Sequence, residues 1–167
     1  MNFKALIASV AIATTGLFGG VAEAVQQDRI GYNQSGAYEL YTSLRNTGVT
    51  VDIMPCKDDD YYGWYMPAMN NGMGGIIICD NVATTYEDQW ETLRHEAVHA
   101  AQHCRKWDTV MYDEWTNNNL SRATRGFVVD NYEQSDWKIE WEAFVLQEES
   151  NQFIAQLVNT NCANDQV

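Results

Sequence analysis

The chain is poor in several residue types, and each shortage restricts what it can be. It has 10 basic residues against 23 acidic ones, giving a formal net charge of −13, with no basic patch. Nucleic acids and anionic membrane surfaces repel such a chain, so neither is an expected partner. Its two prolines, Pro55 and Pro67, leave the C-terminal half free to form uninterrupted helices.

Long apolar runs are missing after residue 24. The first 24 residues carry Lys4, an apolar stretch and Ala22-Glu23-Ala24, which is typical of a secretory signal peptide with an Ala-x-Ala cleavage site. The stretch is shorter than the roughly 20 apolar residues of a membrane span. We therefore expect a signal peptide at residues 1–24 and one exported domain at residues 25–167, secreted or periplasmic, without a membrane span after cleavage.

The four cysteines contain no C-x-x-C pair, so a zinc ribbon is not expected. An oxidising compartment favours two disulfides, and the sequence alone allows three connectivities. Cys56 follows one predicted strand and Cys79 ends another, whereas Cys104 and Cys162 each end a predicted helix. This placement favours the pairs Cys56–Cys79 and Cys104–Cys162.

The hydrophobic patterns predict an α+β fold, in which a small antiparallel or mixed sheet is followed by a long helix and further helices. A capping box at Thr84-x-x-Glu87 opens the long helix. The predicted elements are a helix at 35–48, strands at 49–54, 63–66 and 75–80, and helices at 84–104, 116–132 and 135–162.

The three histidines of the chain, His95, His99 and His103, all lie on the long helix. His95-Glu96-Ala97-Val98-His99 is the H-E-x-x-H zinc motif, in which histidines one turn apart converge on one ion and the glutamate reaches its water. His103 lies about 12 Å along the axis from His95, too far to share the ion. Apolar residues occupy the opposite side of the helix, so we expect the histidine side to face outward.

Zinc requires a third protein ligand, and a downstream carboxylate is the best choice. On a helical wheel of the last predicted helix, Glu142 lies at the margin of the apolar side, Glu140 lies further round the other flank, and Glu148 faces away. A cation would offset the cost of burying Glu142. Asp130 and Glu149 are the alternative ligands.

These residues resemble the zincin metallopeptidases, and within them the gluzincins, through "HEAVH" and the Glu-Ala pair of "EWEAF". The metzincin pattern H-E-x-x-H-x-x-G-x-x-H does not fit, because Gln102 and Arg105 replace its glycine and third histidine. The resemblance implies one Zn²⁺ per chain on His95, His99 and Glu142.

In such an enzyme, Glu96 would be the general base for hydrolysis of a peptide or protein substrate. The substrate would lie along an edge strand, here "GIIIC". For stabilisation of the transition state, Tyr112, Tyr132 and His103 are the possibilities.

Two other functions remain open. One is a non-catalytic secreted module, held by two disulfides, that binds through its tyrosines and tryptophans. The other is a structural or inactive zinc site, closed by a fourth ligand such as His103 or Asp130.

Overall fold

A small mixed sheet and six helices form the described part of the chain, which confirms the expected α+β fold. The structure is a computed structural model that describes residues 36–57, 61–67, 74–111 and 113–163, so the expected signal peptide lies outside the described residues. The elements are α1 (Ala37–Asn46), β1 (Thr50–Met54), β2 (Gly63–Met66), β3 (Gly75–Cys79), α2 (Tyr86–Cys104), α3 (Asp113–Asn119), α4 (Arg122–Asn131), α5 (Trp137–Leu146) and α6 (Asn151–Cys162).

The strand order of the sheet is β1-β3-β2. β1 runs parallel to β3, with Val51 opposite Ile76, and β2 runs antiparallel to it, with Tyr65 opposite Ile76. The prediction that "GIIIC" forms an edge strand is therefore wrong, because β3 lies between the other two strands. A buried central strand explains its run of isoleucines.

The N-cap of helix α2 is Thr85, one residue later than the Thr84 that the sequence predicted. The Thr85 hydroxyl accepts a hydrogen bond from the Asp88 N–H, and the Thr85 N–H donates to the Asp88 carboxylate, both at 3.1 Å. This reciprocal capping box replaces the expected pair Thr84 and Glu87. Without glycine or proline to interrupt it, the helix then continues to Cys104.

Helix α2 packs against β2 and β3 and also against α5 and α6. Its residues Leu93 and Ala97 belong to the same core cluster as Ile76 of β3. The expectation that the histidine side faces outward is wrong, because His95 and His99 are each only 8% exposed. The side of α2 that looked polar in sequence is therefore an interior surface.

Two of the predicted helices are each divided in two. Ser121 caps α4 by accepting the N–H of Thr124, and Ser150 caps α6 by accepting the N–H of Phe153. Each serine satisfies a free N–H of a first helical turn, which allows a new helix to begin there. The chain can consequently turn at both points.

Both expected disulfides are present. Cys56–Cys79 links the segment after β1 to the end of β3, and Cys104–Cys162 links the ends of α2 and α6. The second bridge thus joins the histidine helix to the last helix. None of the helices in the described ranges is long and apolar enough to cross a membrane.

Candidate metal centre

His95 and His99 lie one turn apart on α2 and direct the same ring nitrogen into one space. Their Nε2 atoms are 3.2 Å apart. The helix places them on one face because residues four apart are neighbours on its surface. Two of the three expected metal ligands therefore converge as predicted.

The third side chain in this space is Glu140 of α5. Its Oε2 lies 3.5 Å from Nε2 of His95, and its Oε1 lies 3.5 Å from Nε2 of His99. Ligands of tetrahedral zinc at 2.0–2.1 Å are separated by roughly 3.3 Å. The spacing of these atoms therefore fits a zinc-sized tetrahedral site, and this group of three buried residues could hold a metal ion.

The chemistry of this group also fits a cation. Oε2 of Glu140 is buried and has no hydrogen-bond partner among the described residues. Its 3.5 Å approach to His95 is longer than the roughly 2.7–2.9 Å of a charge-assisted hydrogen bond. A buried carboxylate oxygen without a partner is costly, and a bound cation would remove that cost.

The electrostatics of Glu140 and His99 also favour positive charge in this space. Burial opposes ionisation of Glu140, but His99 and His95 outweigh it and lower the Glu140 pKa to about 2. Burial likewise opposes the imidazolium of His99, but Glu140 outweighs it and raises the His99 pKa to about 9. A proton therefore occupies this space in the absence of a metal, and a metal ion would replace it.

Glu142, the third ligand that the sequence predicted, points elsewhere. Its Oε2 accepts the side-chain amide of Gln102 at 2.9 Å and the N–H of Val110 at 2.8 Å, and its Oε1 accepts the N–H of Met111 at 2.7 Å. Glu142 is fully buried, as expected, but its partners are hydrogen-bond donors of the protein. We therefore correct the third member of the group from Glu142 to Glu140.

The helical wheel failed because α5 is buried on more than one side. Glu140 and Glu142 are 200° apart on a helix, and both are buried. Glu140 faces His95 and His99, whereas Glu142 faces Gln102 and the backbone of Val110 and Met111. The wheel ranks residues by angle from the apolar centre. It does not tell which flank meets the histidines.

Glu96 lies beside the metal group and is not part of it. Burial raises its pKa, and the charge of Glu140 adds to this effect, while His95, His99 and the N–H of Tyr65 act in the opposite direction. The Tyr65 N–H belongs to β2 and donates to the Glu96 carboxylate. Glu96 therefore sits between the metal group and an edge strand of the sheet.

The remaining sequence candidates lie outside the group. Nδ1 of His103 is 2.7 Å from the hydroxyl of Tyr65. Asp130 is exposed and Glu149 is partly exposed. No fourth histidine, cysteine or carboxylate joins these three residues within the part of the chain that the structure describes.

The family model of a domain of unknown function, DUF8637, matches residues 39–163, which include every element but the start of α1. The chain belongs to the DUF8637 family. No curated protein and no solved structure matches it.

Two glutamines of this DUF8637 chain contact the histidines, and neither was identified from the sequence. Oε1 of Gln102 lies 2.8 Å from Nδ1 of His99, and Oε1 of Gln147 lies 2.8 Å from Nδ1 of His95. Gln102 follows His99 by three residues on one helix, a spacing that the sequence does display. Gln147 is distant in sequence, and no local pattern indicates it.

Aromatic rings border the metal group of the DUF8637 chain on one side. The ring of Phe144 lies 4.6 Å from that of His95, and Phe127 and Tyr132 pack on Phe144 at 5.5 and 6.2 Å. Burial and then the charges of Glu140 and Glu96 raise the pKa of Tyr132. The Tyr132 phenol therefore keeps its proton near both carboxylates. Phe127, Tyr132 and Phe144 are called the aromatic wall below.

Proposed function

We propose that this chain is an exported zinc-dependent peptidase that resembles the zincins, with His95, His99 and Glu140 as metal ligands. The observation that carries the proposal is the meeting of three buried ligand side chains with Glu96 directly beside them. Three protein ligands leave the fourth position of a tetrahedral zinc open, as catalysis requires. The two disulfides support export to an oxidising compartment.

Zinc in this site would act as a Lewis acid and lower the pKa of water to about 7. Glu96 would take a proton from the attacking water as the new C–O bond forms at the scissile carbonyl. Glu96 would then deliver that proton to the leaving nitrogen as the C–N bond breaks. Burial raises the pKa of Glu96, which favours the second step, because a carboxyl group with a higher pKa holds the transferred proton more readily.

The geometry of the β2 edge that faces away from β3 supports the proposal of a peptide substrate. Tyr62 O accepts a hydrogen bond from Cys79 N, so along β2 the peptide groups of Trp64 and Met66 also point to β3. Those of Gly63 and Tyr65 consequently point to the edge away from β3, where the Tyr65 N–H meets Glu96. An extended peptide that pairs with this edge would pass beside Glu96.

Tyr132 is the best of the three residues considered for stabilising the transition state. Its protonated phenol lies near Glu140 and Glu96, so it would donate a hydrogen bond to the oxygen that gains charge. His103 already contacts Tyr65, and Tyr112 lies outside the described residues. The aromatic wall around Tyr132 would contact an apolar side chain of the substrate.

The test compares wild type with Glu96→Gln and with Glu87→Gln, a matched change at an exposed position of the same helix. Zinc content and hydrolysis of an unfolded, fluorescently labelled protein are measured on each. We expect about one zinc per chain in all three proteins and at least a roughly 100-fold loss of hydrolysis in Glu96→Gln alone.

Three outcomes would contradict the proposal in different ways. Folded wild-type protein that takes up no zinc would exclude both the catalytic and the structural zinc site. Zinc-loaded wild type without hydrolysis would favour the structural or inactive site. Full hydrolysis by Glu96→Gln would show that another group is the base.

A further inference from the structure

His99 is held through a chain of hydrogen bonds that ends at Glu142. The side-chain nitrogen of Gln102 donates to the carbonyl of Ile139 at 3.0 Å and to Oε2 of Glu142 at 2.9 Å. A carbonyl accepts only, so this atom of Gln102 must be the NH₂ group. Oε1 of Gln102 therefore faces Nδ1 of His99, 2.8 Å away, and the histidine must be the donor.

Glu142 is itself fixed as an acceptor. The N–H groups of Val110 and Met111 donate to its two oxygens at 2.8 and 2.7 Å. Together with Gln102, these donors fill the carboxylate from three directions. Glu142, Gln102 and His99 are called the Glu142 relay below.

His95 is held in the same manner by a second, separate chain. The side-chain nitrogen of Gln147 donates to Oε1 of Glu91 at 2.6 Å. The other amide atom, Oε1 of Gln147, therefore faces Nδ1 of His95, 2.8 Å away. Arg94 of α2 donates to the backbone carbonyl of Gln147 and holds this residue, which follows α5, against α2. Glu91, Gln147 and His95 are called the Glu91 relay.

We propose that the two relays determine which nitrogen each histidine offers to the metal. In each relay a glutamate orients the glutamine amide, and the amide oxygen then requires the proton on Nδ1. Nε2 of each ring is thereby left as the ligand atom, facing its partner at 3.2 Å. Glu142 and Glu91 are thus positioning residues that act on the metal site without touching it.

The glutamine between glutamate and histidine also affects the Nδ1 proton and the charge next to the ring. An amide oxygen accepts a hydrogen bond but does not take up the Nδ1 proton, unlike a carboxylate in direct contact. The ring orientation is therefore fixed while the second negative charge stays one side chain further away. The charges of Glu91 and Glu142 therefore stay out of direct contact with the histidines, whereas Glu140 contacts both.

The inference rests on the proposed metal site only for its affinity measurement. The variants are Gln102→Met and Gln147→Met, with Gln89→Met as the matched control. Gln89 also lies on α2, and its side chain donates only to the carbonyl of Ala83 among the described residues. Zinc affinity is measured by chelator competition. The histidine ring N–H protons are observed by NMR in zinc-free protein labelled with ¹⁵N-histidine.

Wild type and Gln89→Met should show exchange-protected Nδ1–H signals from both histidines. Each of the other two variants should lose one signal and bind zinc about 10- to 100-fold more weakly. A swap within the Glu91 relay adds a rescue. Gln147→Glu alone sets two carboxylates face to face, whereas Gln147→Glu with Glu91→Gln restores a donor between them and should recover zinc affinity.

Unchanged affinity and unchanged Nδ1–H signals in the methionine variants would overturn the relays. Failure of the double swap to improve on Gln147→Glu would overturn the role of Glu91. If wild type binds no zinc, the proposed function fails, but the relays are still judged by the signals. Protected Nδ1–H groups in zinc-free wild type support them, and their absence contradicts them.

Discussion

The carboxylate of Glu140 lies 3.5 Å from Nε2 of His99, between α5 and α2. This contact brings an acidic residue of a later helix to the H-E-x-x-H motif and completes a group of three buried side chains that could hold a metal ion. Glu142, two residues further on, instead binds backbone N–H groups. One short helix thus places a carboxylate beside the two histidines on one flank and a structural carboxylate on the other.

The first prediction concerns the structural role of Glu142. Glu142→Ala removes the acceptor of three buried or part-buried N–H donors, each of which costs about 1–3 kcal/mol when left unpaired. We expect the free energy of unfolding of zinc-free protein to fall by about 3 kcal/mol. Chemical denaturation measures it, with exposed Glu133→Ala as control, expected within about 0.5 kcal/mol of wild type. An equally small effect of Glu142→Ala would contradict this role.

The second prediction concerns the pH dependence of zinc-free protein. Despite burial, the mutual attraction of the pair raises the His99 pKa from 6.5 to about 9 and lowers the Glu140 pKa from 4.5 to about 2. The stabilisation from His99 is complete below pH 6.5 and is lost as the pH rises towards 9. The stabilisation from Glu140 is complete above pH 4.5 and is lost as the pH falls towards 2.

The pair should therefore make its largest contribution to the free energy of unfolding between pH 4.5 and 6.5. Denaturation in the presence of a chelator, repeated between pH 5 and 9, measures the decline on the alkaline side. Glu140→Gln should remove much of that decline, because it removes the charge that holds the proton on His99. The same slope in both proteins would show that the pair does not form.

The third prediction ranks the two disulfides. Cys104–Cys162 spans 58 residues of sequence and Cys56–Cys79 spans 23. By loop-closure entropy, the longer bridge stabilises by about 4 kcal/mol and the shorter by about 3.5 kcal/mol. Replacing each pair by serines and measuring denaturation should show the larger loss for Cys104 and Cys162. The reverse order would indicate that strain or residual structure dominates.

The sequence was informative where local rules decide the structure. Strand patterns, the H-E-x-x-H spacing and the placement of the cysteines at predicted element ends led to the sheet, the converging histidines and both disulfides. Ser121 and Ser150 are also readable as helix caps, and they mark the two helix breaks that were missed.

The sequence was not informative where packing between distant segments decides. The choice between Glu140 and Glu142 depends on which flank of α5 faces His95 and His99, and both flanks are buried. Gln147 reaches His95 across 52 positions, so no local spacing could indicate it. The carboxylate that joins the two histidines and the hydrogen bonds that hold them could therefore be identified only from the fold.

The measurement that tests the central claim most directly is the zinc content of wild type, Glu140→Gln and Glu142→Gln after equilibration with zinc and gel filtration. The two variants carry the same chemical change two residues apart on one buried helix, so each controls for the other. The account predicts about one zinc per chain in wild type and little in Glu140→Gln, which lacks a ligand. Glu142→Gln should still take up zinc, but more weakly than wild type, because it changes only the relay behind His99. Zinc retained by Glu140→Gln and lost by Glu142→Gln would contradict it.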